Sequence, residues 1–496
     1  MRKCVSYLIV ILFFLNLLYF NNNEDLKVKG ATTLYVGGTG PGNYSIIQNA
    51  INNATSGDNI FIMNGTYNEV LNVNKSIQII GENKNTSIIS GGFKISSENV
   101  SISNINITVG YGRDYDGSGL NGTFRYGIYA TGCGNITINN VYIHDIIGGN
   151  GAQAVSGKGG NGGGAYGIFF IGCNFTSISN VTITTIIGGN GADGTGGNYV
   201  CLGGLGGESK GLHIFGCWNS KIERSIIKII TGGAGGKGGS VSNPGIGGSA
   251  IGIDIANFNK CNLTYNRIVT ISGGVGGSQN SSADRGGNGA KGGIGYGVKL
   301  YNISSHFIYK NTITAISGGI GGNGRTADGA HGTSGNGGDG FGFALEKVAY
   351  LIITNNKLIS ITAGQGGTSE YCGHGGHAYG FYQIKGNNVT IINISIQNIK
   401  GGKGGSSTYN GAYAGGGGKG YGIYIEKCDN SNMSNIKSIG INGGYGGDAI
   451  SSGGGLGHAI GFSLKDINNI SLSEFNISYI FAGKTGNGTV KRIPQG

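Results

Sequence analysis

The stretch Gly127-Ile-Tyr-Ala-Thr-Gly-Cys-Gly-Asn-Ile-Thr-Ile-Asn-Asn-Val-Tyr-Ile-His-Asp-Ile-Ile147 decides the fold, because the chain repeats its pattern nine times. The copies start at Gly127, Gly167, Gly211, Gly252, Gly297, Gly342, Gly380, Gly422 and Gly461. Each ends 21 residues on, where a Gly-Gly or Ala-Gly pair opens a glycine-rich insert. Module length is constant, while the inserts between modules run from 17 to 24 residues. A repeat of this period marks a solenoid, whose units bury their apolar faces only by stacking on neighbours.

Apolar residues hold fixed columns within the module. Position 2 carries Ile128, Leu212 and Phe343, position 12 carries Ile138, Ile353 and Met433, and position 20 is Ile in every copy from Ile146 to Ile480. Alternation such as Ile136-Thr-Ile138 marks short strands with an inner and an outer face. One module therefore reads as one turn of a parallel β-helix. Cys133, Cys173, Cys217 and Cys428 share position 7 with Phe258, Ile303, Val348 and Ile467, the company of a buried apolar side chain. Stacked rungs bring such cysteines to about 4.8 Å, within reach of a disulfide, but the column favours inert thiols. Asn140, Asn180, Asn355, Asn393 and Asn435 share position 14, where stacked amides are expected to satisfy a turn's backbone groups.

The inserts keep phase as well. After each of the first eight modules the second and fourth insert residues are Gly, and the first and fifth are Gly or Ala, as in Gly148-Gly-Asn-Gly-Ala and Gly318-Gly-Ile-Gly-Gly. The fourth residue before each following module is again Gly, from Gly163 to Gly457. A flexible linker has no reason to keep such a phase. Period three suits an extended helix rising about 3.1 Å per residue. Legs leaving one corner of successive rungs would lie side by side at about 4.8 Å, which only side-chain-free backbones tolerate.

Ahead of the modules, Tyr44-Ser-Ile-Ile-Gln-Asn-Ala-Ile-Asn-Asn-Ala-Thr-Ser-Gly-Asp58-Asn-Ile-Phe-Ile-Met-Asn-Gly65-Thr-Tyr67 precedes Lys75-Ser-Ile-Gln-Ile-Ile-Gly81. Ser45 to Gln48 has the capping-box pattern, and Ile46, Ile47, Ala50, Ile51 and Ala54 recur at helical spacing, predicting a short helix over the solenoid's open end. This region, roughly 35–110, resembles the N-terminal part of pectin-lyase-like right-handed parallel β-helix proteins, including archaeal and bacterial surface proteins. The resemblance implies the fold, in a superfamily that holds polysaccharide lyases, hydrolases, periplasmic proteins and adhesins. The inserts resemble the polyglycine II bundles of certain glycine-rich antifreeze proteins and phage tail-tip adhesins.

Composition and charge bound the rest. Of 496 residues 107 are Gly and 3 are Pro, without the strict triplet of collagen, and 26 Tyr and 18 Phe exclude disorder. Met1-Arg2-Lys3 and the apolar run Val5 to Phe20 read as an export signal ending near Gly30-Ala31, with an uncleaved membrane anchor as the alternative. The expected organisation is residues 1–31 leader, 32–126 cap and first rungs, 127–481 nine modules with inserts, and 482–496 tail. Loss of 1–31 lowers the net charge from +11 to +9, a balance suited to anionic glycans or a cell surface. No basic cluster interleaved with aromatics points to nucleic acid.

Chemistry-bearing patterns are sparse. Glu346 and Glu426 share position 5 two rungs apart, roughly 10 Å by strand spacing, with Ile384 between them and Lys347, Lys385 and Lys427 adjacent. Paired glycosidase carboxylates stand about 5–9.5 Å apart, so the pair reads as a solvated ion-pair column. His374 and His377, near Cys372, lack a fourth ligand for a metal. Asn64, Asn135 and Asn180 start glycosylation sequons, with Asn180 expected inside. No catalytic, cofactor-binding or metal site is assigned. The insert middles are the expected recognition tips, with Tyr199, Asn243, Asp284, Arg285, Arg325, His331, Tyr371, Tyr409 and Tyr413 as candidates. The sequence thus predicts an all-β, non-catalytic solenoid, secreted or at the cell surface, whose partners are a glycan or another surface protein. Polysaccharide lysis or hydrolysis, ice binding through a flat glycine-rich face, and end-to-end self-association are the competing expectations.

Overall fold

Position 12 of every module lies beside position 12 of the next. Ile138 pairs with Ile178, Ile178 with Ile222, and the column continues through Leu263, Ile308, Ile353, Ile391 and Met433 to Leu472, always in parallel register. The structure is a computed structural model that describes residues 30–112, 119–154, 156–195, 201–239, 243–279, 287–326 and 331–487. The chain is a parallel β-helix in which each module forms one rung, numbered here one to nine. The first rung has strands Arg125–Thr131, Thr137–Asn139 and Tyr142–Ile147, and each pairs with its counterpart in the second. Ile138, Ile143, Ile146 and their counterparts fill one continuous core.

Each rung turns at single residues rather than at loops. Positions 6, 9, 14 and 19 have φ between 46° and 71° in all nine copies. This left-handed region suits Gly and Asn, and costs other L-residues about 1–2 kcal/mol each. Phe175, Ile229 and Tyr265 occupy it because the rungs above and below fix the corner. The Asn column at position 14 is therefore first a backbone requirement. Its amides also bond along the column, as from Asn140 Nδ2 to Asn104 Oδ1 at 2.7 Å and from Asn393 Nδ2 to Asn355 Oδ1. The expectation that they satisfy buried backbone groups belongs one residue on. Asn266, Asn311 and Asn356 are buried at position 15. The Asn266 and Asn311 backbone N–H groups donate to Asn311 Oδ1 and Asn356 Oδ1 at 2.9 and 2.8 Å, and their side-chain amides donate to the Ile222 and Leu263 carbonyls at 2.9 and 2.7 Å. Asn180, expected inside, is exposed at its corner.

The glycine that opens each module is a packing requirement. A Cβ on Gly127 would stand 2.7 Å from Ile143 Cγ2 and 2.8 Å from the Gly167 carbonyl, and the same position-17 side chain blocks Gly167, Gly211, Gly252 and Gly297. Position 1 gives way so that position 17 can fill the core.

At the N-terminal end strand β1 (Thr33–Val36) pairs with Asn59–Ile62, and helix α1 (Ile47–Asn53) packs on the turns that precede rung one, with Ile47, Ala50 and Ile51 buried. The predicted capping box does not form. Ile46 is the N-cap residue with no side-chain cap, and the Ile47 and Gln48 N–H groups donate to Glu69 Oε1 and Oε2 at 2.8 and 2.9 Å. A carboxylate from the neighbouring turn satisfies two orphan donors and the helix dipole together. At the opposite end Leu472 and Ile477 of rung nine are exposed where their counterparts in the preceding rungs are buried.

Every insert leaves and returns as two antiparallel legs, and all legs stand at the same edge. Gly163 N–H donates to Gly149 O at 2.7 Å, Gly189 to Gly163 at 2.9 Å and Gly207 to Gly189 at 2.7 Å; this zigzag between outgoing and returning legs runs unbroken to Gly483 on Gly457 at 2.9 Å. Within each layer, Gly151 donates to Asn190 O on the next rung and Gly162 to Leu205 O, both at 2.8 Å. The inserts thus form a two-layer slab in which two of every three residues face other backbones. A methyl group on Gly148 or Gly151 would run into the Gly163 or Gly160 carbonyl. The third residue faces outward, which is why Asn150, Val275, Ile320 and Tyr445 are admitted there. Where it carries an acceptor it caps the next rung's outward N–H: Asn190 on Asn150 Oδ1 at 2.8 Å, Lys237 on Asp193 Oδ1 at 2.7 Å. Residues 482–487, read as the start of a tail, continue the slab as a ninth outgoing leg, with Gly486 donating to Gly454 O at 2.9 Å. The expected leader lies outside the described residues except Gly30 and Ala31.

Candidate functional site

The slab carries the insert tips away from the rungs, and the described tips of inserts five to eight are knitted together. Thr333 bridges to Tyr371, Tyr371 to Tyr413 and Tyr413 to Ser452, all in parallel. Tyr371 and Tyr413 consequently stack, with centroids 5.4 Å apart and planes 5° from parallel, and His331 stands edge-on to Tyr371 at 5.7 Å. His331 Nδ1 meets Glu370 Oε2 at 2.8 Å, and Thr326 Oγ1 donates to the same oxygen at 3.2 Å. Underneath, Ser334 and Ser369 share a hydroxyl hydrogen bond of 2.7 Å, and Ser369 also donates to the Gly332 and Tyr371 carbonyls. The result is an exposed aromatic strip with a carboxylate beside it, on a fixed backbone.

Of the nine predicted tip residues, the structure brings His331, Tyr371 and Tyr413 together. Tyr409 is half exposed in a turn of insert seven. Arg325 pairs through its backbone with Gly287 of insert four, and Asn243 is exposed on insert three. Tyr199, Asp284 and Arg285 lie outside the described residues. Glu370 was missed, because its role depends on a histidine 39 residues earlier.

His374 and His377 have structural partners. Each Nδ1 accepts a backbone N–H from the next rung, Gly416 and Lys419, at 2.9 Å. They extend the outward capping pattern of the slab, and burial pushes the His377 imidazole below its ordinary pKa. Among the described residues no group of three His, Cys, Asp or Glu side chains is placed to hold a metal. All seven described cysteines are free; the Cys133 and Cys173 thiols share a 3.4 Å hydrogen bond and no disulfide, and burial pushes the Cys217 and Cys261 thiols up to about 12. Of the anticipated ion-pair column only the Glu426 end forms among the described residues: Glu426 lies 2.9 Å from Lys465 and 3.8 Å from Lys427 and accepts from Tyr424 at 2.6 Å, whereas Lys347 donates to Tyr301 and not to Glu346. The Tyr424 hydrogen bond, then Lys465, hold the Glu426 carboxyl below the usual range.

A second surface lies where the returning legs meet the rungs. The residue before each module is Tyr or Phe in six of nine copies. Tyr296, Phe341, Tyr379 and Tyr421 stack there at 5.0, 4.8 and 4.8 Å with planes within 13° of parallel. Position 3 adds Tyr382 and Tyr424, stacked at 5.4 Å. The signal was present in the sequence as an aligned column and went unread. In rungs three and four polar groups replace the rings. Lys210 Nζ and His213 Nδ1 each lie 2.9 Å from Asp254 Oδ2, and Glu208 adds a 3.3 Å contact to Lys210. Burial alone would push the Asp254 carboxyl up; the His213 and Lys210 contacts outweigh it and hold it at about 2.

No family model and no curated protein matches the chain. Solved structures similar to it include PfbA, a surface adhesin of Streptococcus pneumoniae, at 12% identity over 83% of this chain and 88% of that one, with a TM-score of 0.33. The periplasmic alginate epimerase AlgG follows at 9% over 84% and 77%, TM-score 0.27. An α-1,3-glucanase catalytic domain in complex with nigerose gives 13% over 92% and 68%, TM-score 0.29. At such scores these likenesses carry no argument about activity, and the fold rests on the strand register itself.

Proposed function

We propose that the protein is a non-catalytic, exported or surface-held solenoid that attaches to a glycan or a surface protein through the tips of its glycine slab. The observation that carries this reading is the His331–Tyr371–Tyr413 strip, whose side chains are exposed while the backbone beneath is fixed by hydrogen bonds between neighbouring inserts. Rigid aromatic side chains offer contact area at small entropic cost, and a preordered backbone removes the ordering cost a free loop carries. We read the slab as a bundle of the polyglycine II kind, whose role is to hold that strip far from the rungs. Stacked rings also suit the apolar faces of sugar rings.

The test is glycan-array and cell-surface binding of the whole chain beside a variant with His331→Ala, Tyr371→Ala and Tyr413→Ala. Binding by the parent that falls about tenfold in the variant, with an unchanged melting temperature, supports the reading; equal binding by both sinks it.

A second reading, polysaccharide processing, is favoured by the Lys210–His213–Asp254 cluster beside the aromatic column. Asp254 is ionised, paired and only 4% exposed, which suits a structural carboxylate better than one that meets a substrate. Turnover of a polysaccharide by the parent, abolished by Asp254→Asn, would establish it instead. The ice-binding reading needs a flat glycine face, whereas both described faces of the slab bear outward side chains such as Asn150, Lys403 and Lys291.

A further inference from the structure

The left-handed corner at position 14 does more than turn the chain. It projects side chains outward on every rung, and on rungs three to six those at positions 14 and 16 include a cation each time: Arg224, Arg267, Lys310 and Lys357. The strand register puts them on successive rungs, Arg267 beside Thr312 and Thr312 beside Lys357. Neighbouring charges are therefore one strand spacing apart along the axis, about 4.8 Å, and alternate between two columns.

All four are exposed, and only Arg224 has a carboxylate close by, Glu223 at 3.7 Å. Among the described residues Arg267, Lys310 and Lys357 make no ion pair. Four like charges in a row repel one another, so the strip has a standing electrostatic cost that an anionic ligand removes. Rings hold it in place. The Lys310 ammonium lies 5.6 Å from the Tyr265 centroid and 5.1 Å from that of Tyr309, and the Arg224 guanidinium lies 5.9 Å from Tyr265. At the far end the strip opens into a groove of about 380 Å³ lined by Tyr265, Lys310, Thr312, Asn355, Lys357 and Asn393.

We propose that this corner is a binding site for a linear polyanionic polysaccharide, running along the solenoid axis from Arg224 to Asn393. The cations, one per rung, meet carboxylate or sulfate groups carried at regular intervals by an extended chain. Asn355 and Asn393 supply the amide donors and acceptors that hydroxyl groups require, and the half-exposed Tyr265 ring adds apolar surface beside the cations that lie over it. This site is separate from the insert tips and does not depend on their role.

The experiment titrates the whole chain with hyaluronan as the carboxylate probe, dextran sulfate as the sulfate probe, uncharged dextran, and single-stranded DNA as an unrelated polyanion. The variant carries Arg267→Gln, Lys310→Asn and Lys357→Gln, with Asn chosen at 310 because it suits the left-handed corner. We expect one anionic glycan to bind, the stronger of the two identifying the anion, with affinity falling as salt rises and neutral dextran silent. The triple variant should lose about tenfold in affinity at an unchanged melting temperature, while the tip variant keeps full affinity. No binding of either anionic glycan, an undiminished affinity in the triple variant, or equally tight binding of the DNA would each overturn the proposal.

Discussion

Ile138, Ile178 and Ile222 stack inside the rungs, and Gly149, Gly163 and Gly189 stack in the slab that leaves those same rungs. In the first stack side chains meet and exclude water, while the backbone bonds only sideways to its neighbours. In the second there are no side chains to meet, and the backbone bonds to legs in its own layer and in the other. The rungs gain from apolar burial, so their cost of mutation scales with volume removed. The slab gains from hydrogen bonds made without interference, so its cost scales with volume added. One chain thus uses opposite size rules a few residues apart.

The comparison breaks most visibly at the core. Phe343→Ala, at a fully buried ring packed 6.0 Å from Phe381, should lower the unfolding free energy by about 3–5 kcal/mol in denaturant titrations. His306, at a core position, comes next. Burial depresses its imidazole from 6.5 to about 4, and Nε2 has no partner. Because the folded value is the lower one, the unfolded chain takes up the proton first as pH falls. Stability should be complete above about pH 6.5 and fall by roughly 3 kcal/mol on the way to pH 4. His306→Leu, matching Leu351 one rung on, should remove that slope.

In the slab the sign of the size rule reverses. Gly319→Val should cost about 1–3 kcal/mol and act locally, speeding amide exchange at Gly319, Gly338 and Gly364 while core amides in rungs one and two stay protected. Its outward neighbour is the control: Ile320→Ala should change stability by under about 0.5 kcal/mol. If both behave alike, the two-faces-in, one-face-out description of the legs fails. The smallest effect sharpens the corners. Ile229→Asn, at an exposed residue with φ of 56°, should raise stability by about 1 kcal/mol in thermal denaturation.

Much of this was legible because the repeat aligns nine independent samples of each position. Ile at position 20 and Gly at insert positions 2 and 4 need no partner to be named before they can be read. Glu69 was invisible for the contrary reason: it caps α1 from 22 residues away, and a local pattern at Ser45 and Gln48 competed with it. The buried ladder of Asn266, Asn311 and Asn356 spans three copies, while Val141, Val181 and Ile394 fill position 15 elsewhere, so the column average hid it. Phe175 and Ile229 carry no sign of a left-handed backbone, and only their alignment with Asn and Gly in other copies would have revealed one. At the tips, stacking of Tyr371 on Tyr413 required the inserts to be in register despite unequal lengths.

The amino-acid sequence by itself determined the solenoid and its side slab, since periodic burial and periodic absence of side chains are both written along one dimension. Only the tertiary structure decided which residues share a surface. The strip His331–Tyr371–Tyr413, the Lys210–His213–Asp254 cluster and the cation row from Arg224 to Lys357 each join residues from different rungs, at least 40 positions apart where adjacent rungs meet. Side-chain direction at a corner depends on φ, and φ there is set by the rungs on either side rather than by the residue that adopts it.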